Sequence, residues 1–141
     1  MYERIIVGTD GSKTAAQAVE RAVQLARMGG GRLTIMTAGR GAKGQAVVDD
    51  AKGAHADAGV DIETLVVDAD PVSALIDTAR RGRYDLVVVG NRGMTGLTRF
   101  LGIGAVPNKL SHHLPTSLLV VRTTEFFPPG SPRGSRQTPR G

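Results

Sequence analysis

Two glycine-punctuated segments carry the residues of this chain best suited to chemistry. One is Gly8-Thr9-Asp10-Gly11-Ser12, which follows the apolar run Ile5-Ile6-Val7. The other is Gly90-Asn91-Arg92-Gly93, which follows Leu86-Val87-Val88-Val89. Gly90 and Gly93 allow backbone N–H groups to come close to a ligand. Gly102, Gly104 and Ala105 stand just before a short helix expected from Pro107 to His113. A helix N-terminus offers unpaired N–H groups and partial positive charge, which stabilise an anion. Arg92, Arg99 and Lys109 would add countercharge. Together these features describe a phosphate cradle. It is not the Walker loop, because no Gly-Lys-Ser/Thr triplet is present. The plainer alternative is that the glycines only turn the chain between strand and helix. Asp10 also has two readings. It is either a ligand carboxylate or the cap of its own turn, through the backbone of Ser12 or Lys13.

The other polar residues point to less. His112 and His113 are adjacent on the expected fourth helix, about 100° apart, so they do not share a metal easily. Only His55 stands elsewhere, and no metal site is expected. Ser12 has no histidine near it in sequence and is explained as a helix cap. Asp49-Asp50 and Arg80-Arg81 read as solvated faces. With no evident general base or nucleophile, no catalytic residue is assigned, and any hydrolysis is expected to be slow.

Composition narrows the choice further. The chain has 141 residues and no cysteine. That excludes disulfides, thiol catalysis, cysteine-ligated zinc and iron–sulfur centres. The formal net charge is +5. Part of it lies at the C-terminal end, where Arg133, Arg136 and Arg140 face Glu125 alone after residue 123. A single-strand-binding surface needs stacking aromatics among its cations, and this chain has only Tyr2, Tyr84, Phe100, Phe126 and Phe127. Nucleic acid is therefore not the expected partner. Neither a signal peptide nor a membrane-spanning apolar run is evident, so a cytoplasmic protein without membrane contact is expected.

The segments that would position these residues alternate in type. Short apolar strands are expected at 5–7, 33–38, 62–67, 86–89 and 117–121. Helices are expected from Ser12 to the Gly29-Gly30-Gly31 stop, from Gln45 to Ala58, and from Asp70-Pro71 to Gly82. Ala15, Ala18, Val19, Ala22, Val23 and Ala26 recur at helical spacing. Asp70-Pro71 is a cap followed by proline at the first helical position. Gly39 to Gly44 reads as a glycine-rich loop. This alternation predicts an α/β fold, a doubly wound, Rossmann-like five-stranded parallel sheet with helices on both faces. In the order 3-2-1-4-5 the ends of strands one and four are neighbours, and ligands bind at such a switch point. No internal repeat is present. One domain is expected over 1–123, followed by a disordered Pro/Gly/Arg-rich tail over 124–141.

Taken in order, these segments resemble the universal stress protein family. The resemblance rests on Ile5-Ile6-Val7-Gly8-Thr9-Asp10-Gly11-Ser12, on Asp70-Pro71, on Asp85 through Leu97, and on Val106-Pro107-Asn108-Lys109 through Val120-Val121. It covers about residues 2–123. It implies a homodimer formed through the last strand, Ser117–Val121, an edge that would benefit from pairing. Nucleotide-binding members carry Gly-x2-Gly-x9-Gly-Ser/Thr after strand four. Gly90 and Gly93 match the first half. In the second half Ile103 stands where glycine is expected, Gly104 comes one residue late, and Ala105 replaces the hydroxyl residue. Carried over, Asp10 approaches the ribose and the backbone near Ala38 faces the adenine. Gly90, Gly93, Gly104 and Ala105 line ribose and phosphates, and Thr9, Arg92 and Val106 complete the set. One missing hydroxyl bond to a charged oxygen costs about 1.5–3 kcal/mol, or roughly tenfold to a hundredfold in affinity. The resemblance implies a nucleotide-binding regulatory protein of the stress response. ATP is the default ligand, with or without Mg²⁺, and AMP or a cyclic nucleotide are the alternatives. The competing reading is a dimeric stress interaction protein that binds no nucleotide.

Overall fold

The computed structural model describes residues 2–38, 41–91 and 116–122. Strands run over Arg4–Gly8 (β1), Arg32–Ala38 (β2), Asp61–Val67 (β3), Leu86–Gly90 (β4) and Ser117–Val121 (β5). Helices run over Lys13–Gly29 (α1), Gly41–Ala54 (α2) and Pro71–Arg81 (α3). The strands form one parallel sheet in the order β3-β2-β1-β4-β5. The helix expected at 107–113 and the tail from 124 lie outside the described residues. So do Arg92, Gly93, Gly104, Ala105 and Val106.

Local chemistry explains most of these elements. Ser12 caps α1, its hydroxyl accepting from the Ala15 N–H at 3.1 Å. The apolar stripe from Ala15 to Ala26 is buried, and Gly30 closes the helix in the left-handed region at φ 72°. Asp70 caps α3 by accepting from the Ser73 N–H at 3.0 Å, with proline in the first turn. The strands are apolar on both faces because each face meets helices. Ile5, Val7, Leu33, Ile35, Leu86 and Val88 pack with α1 and with Val48 of α2. Ile6, Met36, Val87 and Val89 pack with Val72, Leu75 and Ala79 of α3.

Helix α2 departs from expectation at both ends. It begins at Gly41, inside the stretch read as a loop, and stops at Ala54 rather than Ala58. Glycine disfavours a helix locally, by about 1 kcal/mol against alanine, so the pattern reads as loop. Packing reverses this. A Cβ at Gly44 would stand 2.7 Å from Val66 Cγ1 and 3.5 Å from Thr37 Cγ2. The glycine lets the helix sit directly on the sheet. At the far end the bonding changes to three-residue turns, with the His55 N–H donating to the Lys52 carbonyl at 3.1 Å.

The rim where the strands begin is latched by one carboxylate. Asp85 accepts from the Glu3 N–H at 2.9 Å and from the Arg4 N–H at 3.0 Å. Arg4 Nε donates to the Gly82 carbonyl at 2.9 Å, and its guanidinium lies 4.8 Å from the Tyr84 ring centroid. The Tyr84 hydroxyl pairs with that of Thr34 at 2.8 Å. Charge-assisted bonds of this kind contribute more than neutral ones, but partial exposure reduces their value. Asp85→Ala is therefore expected to lower the urea-unfolding free energy by about 1–2 kcal/mol. Asp85→Asn retains one acceptor and should lose less. Equal losses in both variants would show that the carboxylate charge, rather than its geometry, holds the rim.

Candidate functional site

β1 and β4 are hydrogen-bonded neighbours, with Val7 level with Val88. Extending this register by two residues sets Thr9 beside Gly90 at the carboxyl ends of the strands. From β1 the chain crosses to β2 on one side. From β3 it returns to β4 on the other side of β1. The crevice between the ends of β1 and β4 is thus the switch point of the sheet.

Each residue of the β1 turn is held by a named bond. The Thr9 N–H donates to the Met36 carbonyl at 2.9 Å, keeping Thr9 in the sheet. The Thr9 hydroxyl is buried and accepts from the Gly11 N–H at 3.0 Å. Gly11 takes φ +84°, the left-handed region that a residue with a Cβ rarely enters. Asp10 Oδ1 accepts from the Ser12 N–H at 2.9 Å. Asp10 therefore caps its turn through Ser12. The same bond anchors its half-buried carboxylate at the crevice. Ser12 caps α1, as expected.

Ala38 is placed by strand alternation. The Met36 carbonyl accepts from Thr9, so Met36 directs its backbone groups toward β1. Alternate residues of a parallel strand face the same neighbour. Ala38 thus turns its N–H and C=O to the β1 side, two residues further on, where β1 has left the sheet at its turn. A donor and an acceptor side by side in this way suit the edge of a heterocyclic base. Gly90 ends β4 half-buried. The next N–H, of Asn91, donates to the Val121 carbonyl at 3.0 Å and ties the end of β4 to β5. Thr9, Asp10, Ala38 and Gly90 therefore converge on one end of the sheet. The other five expected residues lie outside the described residues.

The sequence reading missed the part played by α2. A cavity of about 250 Å³ opens between α1 and α2 beside the β1 turn, lined by Gly11, Ser12, Ala16, Val47, Ala51 and His55 among others. Thr9 also lines it, so it borders the carboxyl end of β1 on the α1–α2 face of the sheet. The available signal was Gly44, Val47, Val48 and Ala51, small or apolar residues at helical spacing that carry the expected helix back into the glycine-rich stretch. Among the described residues, no three His, Cys, Asp or Glu side chains gather to hold a metal ion. No helix among them is long and apolar enough to cross a membrane.

Comparison with known proteins agrees with this geometry. The sequence model of the universal stress protein family matches residues 1–47 and 38–122. The chain is 28% identical to the universal stress protein YxiE of Bacillus subtilis, over 86% of this chain and all of the relative. It is 32% identical to the universal stress protein Rv1636 of Mycobacterium tuberculosis H37Rv, over 87% of this chain and 98% of the relative. Among solved structures, a universal stress protein in complex with cAMP superposes with a TM-score of 0.75 at 37% identity, covering 87% of this chain and 98% of that one. The Rv1636 alignment runs over 145 positions, whereas 87% of this chain is about 123 residues. About 20 positions are thus skipped by this chain. The two stretches that match the family model overlap at 38–47, the crossover from β2 to α2. In its strand order, its β1 turn and its span of the relatives' full length, this chain belongs to the universal stress protein family.

Proposed function

We propose that the protein is a nucleotide-binding regulatory protein of the stress response, with ATP as its ligand and Mg²⁺ assisting. AMP and cyclic nucleotides are the alternative ligands. The observation that carries this reading is the convergence of Asp10, Gly90 and the Ala38 backbone at the switch point. In this reading the Ala38 N–H and C=O pair with the adenine edge. Asp10 accepts from the ribose hydroxyls, since each carboxylate oxygen accepts from more than one donor. The N–H groups of Gly90, Gly93, Gly104, Ala105 and Val106 and the charge of Arg92 take the phosphates, and Thr9 shapes the wall. Support also comes from the cAMP complex of a relative 37% identical to this chain. With no general base assigned, the bound nucleotide acts as a signal and is hydrolysed slowly at most.

The test is calorimetric titration of the full chain with ATP and Mg²⁺, AMP and cAMP, with acid extraction of the purified protein for co-purified nucleotide. Micromolar binding that falls at least about tenfold in Gly93→Val supports the site, since a side chain there would block close backbone approach. No heat, no co-purified nucleotide and no change in melting temperature would overturn it. The second reading, an interaction protein without nucleotide, would then stand on the departure at Ile103 and Ala105. Equal binding with and without a chelator would remove Mg²⁺ from the proposal.

A cytoplasmic location and a homodimer through β5 belong to the same proposal. β5 is a sheet edge, and Val120 on it is 36% exposed. An edge strand with exposed apolar residues favours pairing. Val120→Lys is expected to move the protein from dimer to monomer in light scattering coupled to size exclusion. An unchanged mass would place the dimer elsewhere.

A further inference from the structure

We infer that Val47 of α2 is a positioning residue for the β1 turn that carries Asp10, an inference that rests on the nucleotide reading above. Only two residues connect the end of β2 to the start of α2. The three steps from Ala38 to Gly41 span about 11 Å at most, so α2 must begin above the end of its own strand. It is seated there by Val48, fully buried in the core, and by Gly44 against Val66 and Thr37. This seat aims the neighbouring Val47 at the β1 turn. Its Cγ2 and Cγ1 lie 3.1 and 3.4 Å from the point where a Cβ on Gly11 would stand.

The contact matters because of what Gly11 joins. It is the left-handed residue between Asp10 and Ser12, and its N–H is held by Thr9. If Gly11 moves, the Asp10–Ser12 bond changes with it. A turn held in its bound shape spares the ordering cost that a loose turn imposes on binding. The short connection brings the second turn of a helix onto the ligand-facing turn. Val47 does not touch the ligand in this arrangement; it acts through Gly11.

The experiment is Val47→Ala in the full chain, with two readouts. The first is amide hydrogen exchange by NMR at Gly11 and Ser12, with Ile6 and Val87 as core references. Exchange at Gly11 and Ser12 is expected to rise about tenfold while the core references stay within about twofold. The second readout is ATP titration, in which affinity is expected to fall about fivefold because the turn must be ordered on binding. Val47→Thr keeps the shape and should restore both. Gly11→Ala should cost more affinity in the native background than in Val47→Ala, since only the former contains the methyl groups it would strike. Unchanged exchange at Gly11 and Ser12 in Val47→Ala would overturn the inference. Should the native chain bind none of ATP, AMP and cAMP, the nucleotide reading fails, while the exchange readout still decides whether Val47 holds the turn.

Discussion

Asp10→Ala is expected to lower ATP affinity by about tenfold to a hundredfold, the equivalent of roughly 1.5–3 kcal/mol for charge-assisted bonds. The side chain has two duties, and a pair of variants separates them. Its Oδ1 accepts from the Ser12 N–H, which secures the turn and the start of α1. Asp10 also follows the end of β1, whose neighbour in the sheet is β4, at the switch point. Alanine removes both. Asparagine retains a carbonyl oxygen for Ser12 but loses the charge that strengthens bonds from ribose hydroxyls or from Mg²⁺. Asp10→Asn should therefore keep the native melting temperature and still bind more weakly. Asp10→Ala should lose affinity and about 1 kcal/mol of stability, the usual worth of one such bond. Affinity within twofold of native in both variants would reduce Asp10 to a turn cap. Loss in alanine alone would show that the shape of the turn matters to the ligand and the charge does not.

Leu75→Ala should cost about 2–5 kcal/mol, the range for deleting a buried leucine side chain and leaving a cavity. Leu75 is fully buried on α3, where it meets Ile6, Met36, Val87 and Val89 of the three central strands. Among the described helices only α3 covers that face of the sheet. Few neighbours can collapse into the space, since the strands are held by ladders on both sides. Thermal melting should show a drop of roughly 8–20 °C for a domain of this size. Leu75→Met nearly conserves volume and should cost less than about 1.5 kcal/mol. A drop in Leu75→Ala of less than about 1 kcal/mol would mean that α3 docks loosely on the sheet. The two residues also separate two kinds of failure. Leu75→Ala should lower stability while nucleotide affinity, measured well below the melting temperature, stays near native, because the side chain packs on the α3 face of the sheet, opposite the α1 face on which the β1 turn leads into α1.

The element types and the β1 turn were legible because their causes are local. Ser12 and Asp70 offer short-range acceptors to N–H groups three residues on, and Pro71 presets the first turn of α3. Helical spacing marks the buried stripe of α1, and β5 is found over the residues expected. Asp10 was legible to its chemistry and not to its partner, since Ser12 and Lys13 were equally placed in sequence. The start of α2 was not legible. Two glycines in its first turn oppose a helix by about 1 kcal/mol each, and the compensating contact comes from Val66, on a strand that follows later in the chain. The rim latch was hidden for the same reason. Arg4, Asp85, Tyr84 and Thr34 are far apart in sequence and meet only when the sheet forms.

Alternating strand and helix, the capped helix starts and the two glycine-flanked turns follow from residue type and short-range spacing, so the sequence by itself determined the α/β class and which segments could meet a phosphate or a base. The strand order 3-2-1-4-5 was expected and is found, although long-range packing is what fixes it. Only the assembled sheet sets β4 beside β1, turns the Ala38 backbone over the end of β1, and seats Val47 against Gly11. The physical reason is range. A cap or a helical stripe is decided within a few residues, whereas these three placements depend on apolar faces far apart in sequence being buried together.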